Sequence, residues 1–383
     1  MIFLDNASTT RMYDEAFEVL RSYYLNNYFN PSALYAGGVN VHRDIENSRA
    51  IIAKIIGAES ENIIFTSSAS EAINLSLMGS LQSNFKHIVT SEIEHPAMHN
   101  SIKSLQQKGI EVDYLKTNSD GTINVDCVKD TVKPFTNIIA IMLVNNETGA
   151  INNVREIVRI AKNINPNIIV ICDCVQAFCK IDFKVKQLGV DFAILSSHKV
   201  HGPKGVGALY CKNLNKLKPQ ILGGGQEKGY RSGTENSGGI IAFAKASEIM
   251  YSKIKSNFAH VTNLRNKVIK CLNEIDNVLI NSNQNASPYI VNFSVKGIKA
   301  EVLLHMLENF EIFVGNGSAC SAKHQDNRIL KSMNVDSEYV IGTIRVSFSE
   351  FNTEKEIEYF CEQLIICIKK LRKIINKKWE KLF

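Results

Sequence analysis

One lysine in this chain stands where a reactive amine would be expected. Lys199 follows the apolar run 190–195, and a glycine-rich turn, Gly-Pro-Lys-Gly-Val-Gly at 202–207, comes after it. A lysine at the end of a buried strand loses hydration, so its neutral amine becomes more available and can form a Schiff base. An ordinary surface lysine is the alternative. The strand end and the glycines favour a lysine that serves pyridoxal phosphate (PLP).

Two further segments have the residue types to hold the phosphate and the ring of such a cofactor. Ser68 and Glu71 have capping-box spacing after the strand-like run 63–65, and the N-terminus of a helix can bind phosphate. His95 lies after the run 87–90, where an imidazole can stack on a planar ring and relay protons. Taken alone, the first segment is equally well a capped helix without a ligand, and the second pattern favours a histidine in a solvent-facing loop.

A carboxylate and two amides complete the predicted cofactor contacts. Asp173 and Gln176 follow the strand-like run 167–172. A carboxylate there can pair with a pyridinium nitrogen and hold it protonated, which makes the ring a better electron sink. Gln176 can hydrogen-bond the ring hydroxyl, as can Asn146 after the preceding strand. An isolated aspartate is often a helix cap, but the presence of Lys199 at the next strand favours the cofactor role.

A cysteine and an arginine in the C-terminal part are candidates for the substrate chemistry. Cys320 lies in the small-residue segment 315–322, followed by the polar stretch 323–328. Small neighbours permit close approach and polar flanks indicate exposure, so this thiol can ionise and act as a nucleophile. Arg345 alternates with apolar residues on the predicted strand 343–348, and a half-buried arginine needs an anion. That anion is either a substrate carboxylate or the partner in a structural salt bridge.

The elements that would position these residues alternate between strand and helix from about residue 45 to 250, which indicates a mainly parallel sheet covered on both faces. Ligands bind such sheets at the carboxyl ends of strands, where the candidate residues lie. Strands are predicted at 63–65, 87–90, 111–115, 137–144, 167–172, 191–195 and 207–210, with helices such as 72–81 and 154–163 between them. From about residue 260, short strands at 289–295, 312–315 and 343–348 and a helix over 354–375 indicate a smaller α+β domain.

Composition narrows the class of protein. The chain has 383 residues, is 45% hydrophobic and 21% charged, as is ordinary for a soluble globular protein, and carries a modest net charge of +6. Without a secretory signal or an apolar stretch near the roughly 20 residues that span a bilayer, a cytoplasmic enzyme is the default. Nine scattered cysteines do not form a disulfide framework. Cys172, Cys174 and Cys179 are close enough to suggest a metal, but we expect the first two to pack as small apolar residues on one strand face.

Together these motifs resemble the cysteine desulfurases of the NifS/IscS type, within the aminotransferase class V family. The resemblance covers nearly the whole chain and follows the family order: Leu4-Asp5-Asn6-Ala7-Ser8-Thr9-Thr10, Asn30-Pro31-Ser32, Glu94-His95, Val144-Asn145-Asn146-Glu147-Thr148-Gly149, Asp173-Cys174-Val175-Gln176, Ser196-Ser197-His198-Lys199, Gly202-Pro203-Lys204-Gly205, Arg231-Ser232-Gly233-Thr234 and Gly317-Ser318-Ala319-Cys320. Ser70 departs from the family's usual threonine but keeps the hydroxyl.

The resemblance implies a fold and a domain organisation. The fold is the α/β PLP-dependent transferase fold, similar to aspartate aminotransferase, with a large domain around a mainly parallel sheet and a smaller α+β domain. The large PLP-binding domain is expected to span residues 16–255. Residues 1–15 and 256–383 are expected to form the small domain that carries the catalytic cysteine loop.

The resemblance also implies roles for single residues. Lys199 would hold PLP, His95 would stack on the ring and act in catalysis, and Asp173 would meet the pyridine nitrogen. The ring oxygen would be bound by Asn146 and Gln176. The phosphate would be bound by Ala69, Ser70, Ser196 and His198, joined by Thr234 from the partner subunit of a homodimer. Cys320 would accept sulfur, and Arg345 and Asn146 would bind the substrate.

The implied reaction converts L-cysteine to L-alanine and leaves a persulfide on Cys320, which passes to an iron–sulfur scaffold, a thiolation enzyme or a carrier protein. Lys199 would remove the Cα proton. A selenocysteine lyase or another class V aminotransferase-type enzyme is the alternative within this fold. A non-enzymatic assembly partner is the alternative outside catalysis, and the presence of both Lys199 and Cys320 disfavours it. We expect no resident metal beyond a transient iron–sulfur contact at Cys320, and no nucleic acid or membrane partner.

Overall fold

The computed structural model describes residues 1–81, 85–316 and 328–379, with side chains to residue 375. Its strands are β1 (Ile2–Leu4), β2 (Ile63–Thr66), β3 (His87–Ser91), β4 (Glu111–Leu115), β5 (Ile138–Met142), β6 (Ile169–Asp173), β7 (Phe192–Ser196), β8 (Gly207–Cys211), β9 (Val278–Ile280), β10 (Ile290–Val295), β11 (Ile312–Asn316) and β12 (Thr343–Ser347). Its helices are α1 (Asp14–Leu25), α2 (Ala36–Ile56), α3 (Ala69–Gly79), α4 (Pro96–Gln107), α5 (Val128–Thr131), α6 (Val154–Ile164), α7 (Val185–Leu188), α8 (Ser237–Ser252), α9 (Ile254–Asn273), α10 (Ala300–Glu308), α11 (Arg328–Ser332), α12 (Ser337–Val340) and α13 (Glu354–Trp379).

The larger sheet of the described chain has seven strands in the order β2-β8-β7-β6-β5-β3-β4. Neighbouring strands from β7 through β4 run parallel, whereas β8 pairs antiparallel with both β7 and β2. The central strands β5, β6 and β7 are buried along their whole length. Continuous apolar runs are what a strand covered by helices on both faces requires, so the predicted mainly parallel sheet is confirmed.

A second, five-stranded sheet is built from the two ends of the chain, in the order β1-β11-β12-β10-β9. β1 pairs parallel with β11, with Ile2 opposite Ile312, while β12 pairs antiparallel with both β11 and β10. The N-terminal strand therefore belongs to the sheet formed by the C-terminal part of the sequence. Within the described chain, no helix combines the length and the apolar character needed to cross a bilayer.

The predicted strands agree with the structure to within one or two residues at each end, and the helix predicted over 354–375 extends to Trp379. Two strands were not predicted, namely β1 and β9. Each has three residues, which is too short for alternation to be read from a sequence, and each is formed by pairing with a strand far along the chain.

Candidate active site

A cavity of about 240 Å³ opens at the carboxyl ends of β5, β6 and β7. This is the edge of a parallel sheet at which ligands bind, because the strand ends and the following loops converge there. The structure brings ten of the predicted site residues to the wall of this cavity: Ala69, Ser70, His95, Asn146, Asp173, Gln176, Ser196, His198, Lys199 and Arg345. These side chains come from both sheets, so the cavity depends on the packing of one sheet's loops against the other.

Lys199 is placed by a helical turn that directly follows β7. Its Nζ donates hydrogen bonds to the carbonyl oxygens of Ala7 and Ser8, both at 2.6 Å. These two residues follow β1, so the N-terminal segment forms the wall opposite the lysine. Both acceptors are neutral backbone carbonyls, and they hold the amine at the cavity wall.

The N-terminus of α3 forms another part of the wall, through Ala69 and Ser70. Ser68 caps this helix by accepting a hydrogen bond from the backbone N–H of Glu71 at 3.2 Å. Gly207 permits the close approach of β8, because a Cβ at this position would lie 2.7 Å from the carbonyl carbon of Ser68. The first N–H groups of a helix have no acceptor within the helix, and the helix dipole favours an anion there. A phosphate therefore suits this end of the cavity.

His95 is the N-cap of α4, and its Nδ1 accepts a hydrogen bond from the backbone N–H of Ala97 at 3.1 Å. Burial, together with the charges of Lys199 and Arg345, lowers the pKa of His95 to about 4. The imidazole is therefore neutral near pH 7. Because Nδ1 is an acceptor, the neutral ring carries its proton on Nε2.

Asp173 ends β6 as a buried carboxylate without a cationic hydrogen-bond partner in the described chain. Its Oδ1 accepts a hydrogen bond from the backbone N–H of Val175 at 2.9 Å. Burial raises the pKa of Asp173 to about 6, although the charge of Lys199 opposes the rise. A protonated ring nitrogen brought against this carboxylate would supply the missing positive charge.

Asn146 presents an acceptor to the same cavity. Its Nδ2 donates a hydrogen bond to Oε1 of Glu147 at 2.8 Å, which fixes the orientation of the amide. Its Oδ1 is buried and has no hydrogen-bond partner among the described residues. An orphaned acceptor in a cavity wall is a place where a ligand donor, either a hydroxyl or an amine, would bind.

Gln176 is held at both ends of its amide. Its Nε2 donates a hydrogen bond to the carbonyl oxygen of Ala7 at 2.9 Å, and its Oε1 accepts one from Nζ of Lys180 at 3.0 Å. Sequence reasoning missed Lys180. The signal was there, because this lysine is flanked by apolar residues and lies four positions after Gln176, the spacing that puts two residues on one face of a helical turn.

Arg345 lies in the middle of β12 and is 5% exposed. Its Nη2 donates to Oδ1 of Asp5 at 2.9 Å and to Oγ of Ser8 at 2.6 Å, while its Nη1 donates to Oε1 of Glu147 at 3.0 Å. The sequence did not decide which anion pairs with Arg345. The structure shows that two carboxylates of the protein, those of Asp5 and Glu147, do so. Gly315 is opposite Arg345 on β11, where a Cβ would lie 2.6 Å from the Asp5 carboxylate.

Two predicted site residues are not brought to the cavity by the described chain. Thr234 lines a separate pocket together with Ser67 and Arg231. Cys320 lies outside the described residues. Cys172 and Cys174, for which a metal was considered, are both buried with their sulfur atoms 3.6 Å apart, in the apolar packing that was expected of them.

Comparison with known proteins shows which family the chain belongs to. The family model described as "Aminotransferase class-V" matches residues 2–360. The chain belongs to the aminotransferase class V family. It is 36% identical to "Cysteine desulfurase IscS" of Dictyoglomus turgidum and 35% identical to the protein of the same name from Clostridium botulinum strain Hall, each alignment covering 99% of this chain and 97% of the relative. A solved structure of a "NifS-like protein" superposes with a TM-score of 0.91 at 33% identity, covering 97% of this chain and 99% of that one.

These relationships confirm the predicted family, the PLP-dependent transferase fold and the predicted class of enzyme, a PLP-dependent cysteine desulfurase. The cavity fits the cofactor of the class V family on its own evidence. It has a helix N-terminus for a phosphate, a buried carboxylate for a ring nitrogen and an orphaned amide oxygen. It also has the Lys199 amine, which donates hydrogen bonds to two backbone carbonyls in the cavity wall.

Proposed function

We propose that this enzyme removes sulfur from L-cysteine, releases L-alanine and stores the sulfur as a persulfide on Cys320 before passing it to an acceptor. One observation carries the proposal. A single cavity brings together the Lys199 amine, the buried Asp173 carboxylate, the N-terminus of α3 and the Arg345 guanidinium. These groups match an amine-reactive carbonyl, a ring nitrogen, a phosphate and a substrate carboxylate, in that order.

We propose that PLP is bound by the residues assigned to it in the sequence: Ala69, Ser70, His95, Asn146, Asp173, Gln176, Ser196, His198 and Lys199, with Thr234 from a second subunit. When bound, PLP supplies a carbonyl that condenses with amines and a ring that withdraws electrons from the substrate Cα. The buried Asp173 carboxylate would keep a proton on the ring nitrogen. His95, which is neutral, would stack on the ring without adding a positive charge.

Lys199 then serves as the base. With PLP and substrate bound, its free amine would remove the proton from the substrate Cα. The carbonyl oxygens of Ala7 and Ser8 orient Nζ towards the cavity, since both accept its hydrogen bonds. Lys199 later returns a proton to the product carbon.

Cys320 takes the sulfur. Its thiolate forms a sulfur–sulfur bond with the substrate sulfur while the substrate Cβ–S bond breaks. The electron pair of the broken bond goes to the substrate carbon skeleton, which takes up protons and leaves as alanine. Arg345 and Asn146 hold the substrate through its carboxylate, and the fixed guanidinium position favours a single orientation of the substrate.

We propose a homodimer in which each subunit completes the other's site. Thr234 lies away from the cavity of its own chain, as a residue that serves a partner's phosphate would. The chain also carries large exposed apolar side chains, among them Tyr28, Leu34 and Leu222. Leu34 lines an open cleft together with residues 224–228 and Glu235, the sequence neighbour of Thr234, so an apolar contact there would bring Thr234 into the interface.

Two further proposals concern domains and cellular context. We propose a large domain of residues 16–255 and a small domain of residues 1–15 and 256–383, because β1 pairs with β11 rather than with the larger sheet. We propose that the enzyme works in the cytoplasm and donates sulfur to iron–sulfur assembly or thiolation. The eight cysteines of the described chain are all free thiols, as a reducing compartment favours.

The decisive experiment locates the sulfur atom that the enzyme takes from L-cysteine. Purified enzyme loaded with PLP should convert L-cysteine to alanine, and mass spectrometry should find one added sulfur on the peptide that contains Cys320. Cys320→Ser should retain PLP yet produce almost no alanine or sulfide, whereas Cys127→Ser, a matched change at a half-buried cysteine, should be active. Added sulfur on Cys172 or Cys174, with Cys320→Ser fully active, would overturn the proposal. A keto acid that accelerates turnover would instead favour an aminotransferase.

A further inference from the structure

Lys180 is a buried lysine for which the proposed reaction gives no role. It is 3% exposed, and its Nζ lies 5.7 Å from the centre of the Tyr289 ring. Burial lowers the pKa of Lys180 to about 7, with the charges of Lys199 and Arg345 acting in the same direction. Burying an amine without a carboxylate partner is unfavourable, so we expect a specific contact of Lys180 to offset this cost.

The one hydrogen bond described for its Nζ is donated to Oε1 of Gln176, at 3.0 Å. This contact decides which way the Gln176 amide faces. The carbonyl of Ala7 can only accept, so it must face the amide nitrogen, at 2.9 Å. Below its pKa of about 7, Lys180 is an ammonium, which can only donate, so it must face the amide oxygen. With both partners in place, one amide orientation satisfies both hydrogen bonds.

Gln176 also lines the cofactor cavity. With its oxygen directed to Lys180 and one N–H directed to Ala7, the amide has a second N–H that remains for a ligand. A donor suits the ring oxygen of PLP, which carries negative charge. An amide turned the other way would add a second acceptor beside Oδ1 of Asn146 and leave this part of the wall without an amide donor for the ring oxygen.

We propose that Lys180 is a positioning residue that fixes the Gln176 amide so that it donates a hydrogen bond to the ring oxygen of PLP. This inference rests on the proposed function, because it assigns the ring oxygen to Gln176. The Ala7 carbonyl connects this network to the amine of Lys199, which donates to the same oxygen at 2.6 Å. Lys180, Gln176, Ala7 and Lys199 thus form one chain of contacts around the cavity.

The test is a double-mutant cycle on PLP affinity, measured by equilibrium titration of the PLP-free dimer without substrate. Lys180→Met should weaken PLP binding about tenfold, the effect of one charge-assisted hydrogen bond. In the Gln176→Leu background the same change should alter the dissociation constant less than twofold, because no amide remains to be oriented. The urea midpoint of PLP-free Lys180→Met should equal or exceed that of the PLP-free wild type, because the variant buries a thioether in place of an amine.

Lys184→Met is the matched control. Lys184 donates hydrogen bonds to the Ile55 carbonyl and the Tyr251 hydroxyl, away from the cavity. We expect this variant to lower the urea midpoint and leave PLP affinity unchanged. If Lys180→Met is insoluble, Lys180→Gln takes its place in the same cycle.

Two outcomes would overturn the inference: unchanged PLP affinity in Lys180→Met, or an equal loss of affinity with and without Gln176. Neither outcome touches the proposed function, which would fail separately if the wild-type protein did not bind PLP or did not release alanine from L-cysteine.

Discussion

Nη1 of Arg345 lies 3.0 Å from Oε1 of Glu147, while Nη2 of the same guanidinium lies 2.9 Å from Oδ1 of Asp5. The contact between Arg345 and Glu147 joins β12 of the smaller sheet to the loop that follows β5 of the larger sheet. Because Arg345 also lines the cavity, one side chain both ties the two sheets together and faces the proposed substrate. Its effects on folding and on catalysis must therefore be measured apart.

Arg345→Lys keeps the positive charge but cannot bridge two carboxylates with a rigid fork. We expect KM for L-cysteine to rise between 10- and 100-fold, as the loss of about 1.5–3 kcal/mol from a charge-assisted contact predicts. PLP should still bind, as shown by its absorbance. Glu147→Gln is the control for the structural contribution: it should lower the unfolding midpoint with a smaller change in KM. Normal kinetics in Arg345→Lys would assign this arginine to a purely structural salt bridge.

His95 should remain neutral throughout the pH range of the enzyme. Its pKa is lowered to about 4, first by burial and then by the charges of Lys199, Arg345 and Arg328. In histidine-labelled PLP-free protein, NMR should show the Nε2–H tautomer with no titration between pH 5.5 and 8. His95→Gln identifies the resonance. A midpoint near the ordinary value of about 6.5 would show that the ring is solvated and charged at low pH.

Glu94→Gln should change how stability depends on pH. Burial raises the pKa of Glu94 to about 8 from 4.5, so between these values the folded protein holds a proton that the unfolded chain has released. Unfolding then releases a proton, and stability falls as pH rises, by up to about 1.4 kcal/mol per pH unit. Glutamine removes this dependence. It keeps an oxygen for the Ser91 hydroxyl and the Met142 N–H.

The measurement for Glu94→Gln is the urea midpoint of the PLP-free protein at pH 5.5 and 7.5. The urea midpoint of Glu94→Gln relative to that of the wild type should be higher at pH 7.5 than at pH 5.5. Glu92→Gln, at the half-buried neighbouring carboxylate, should follow the wild type. Parallel curves for wild type and Glu94→Gln would contradict the raised pKa.

Mixing two inactive variants tests the shared site. A dimer of one Lys199→Ala chain and one Thr234→Ala chain has one site with both residues intact and one with neither. Random exchange makes half of the dimers mixed, so about a quarter of the wild-type activity should return at limiting PLP. Mixing two samples of Lys199→Ala should restore none. A monomer in sedimentation at micromolar concentration, or no recovery after verified exchange, would refute the shared site.

The sequence predicted the parts of the site that follow from strand ends. Asp173 and Lys199 lie at the strand ends where the sequence placed them, because an apolar run followed by a polar residue marks the carboxyl end of a buried strand, and these ends converge. The predicted strand 111–115 has the observed bounds. Local pattern is sufficient where a strand is buried on both faces.

The rest of the site depends on contacts between distant segments. The sequence indicated that Arg345 needs an anion, but not that Asp5 lies at 2.9 Å, because that contact exists only once β1 has paired with β11. The orientation of Gln176 likewise depends on the Ala7 carbonyl, 169 residues away along the chain. No local periodicity carries this information.

The pairing of β1 with β11 also sets the order in which a ribosome can complete this enzyme. The contact between Asp5 and Arg345 spans 340 residues, which translation at about 5–20 residues per second covers in roughly 20–70 s. The larger sheet, with Lys199 and Asp173, emerges from the ribosome during that time. Until β11 is synthesised, β1 has no strand to pair with. A nascent chain that stops before residue 345 would therefore have the cofactor lysine but an open cavity wall, so the site is closed only in the last stage of synthesis.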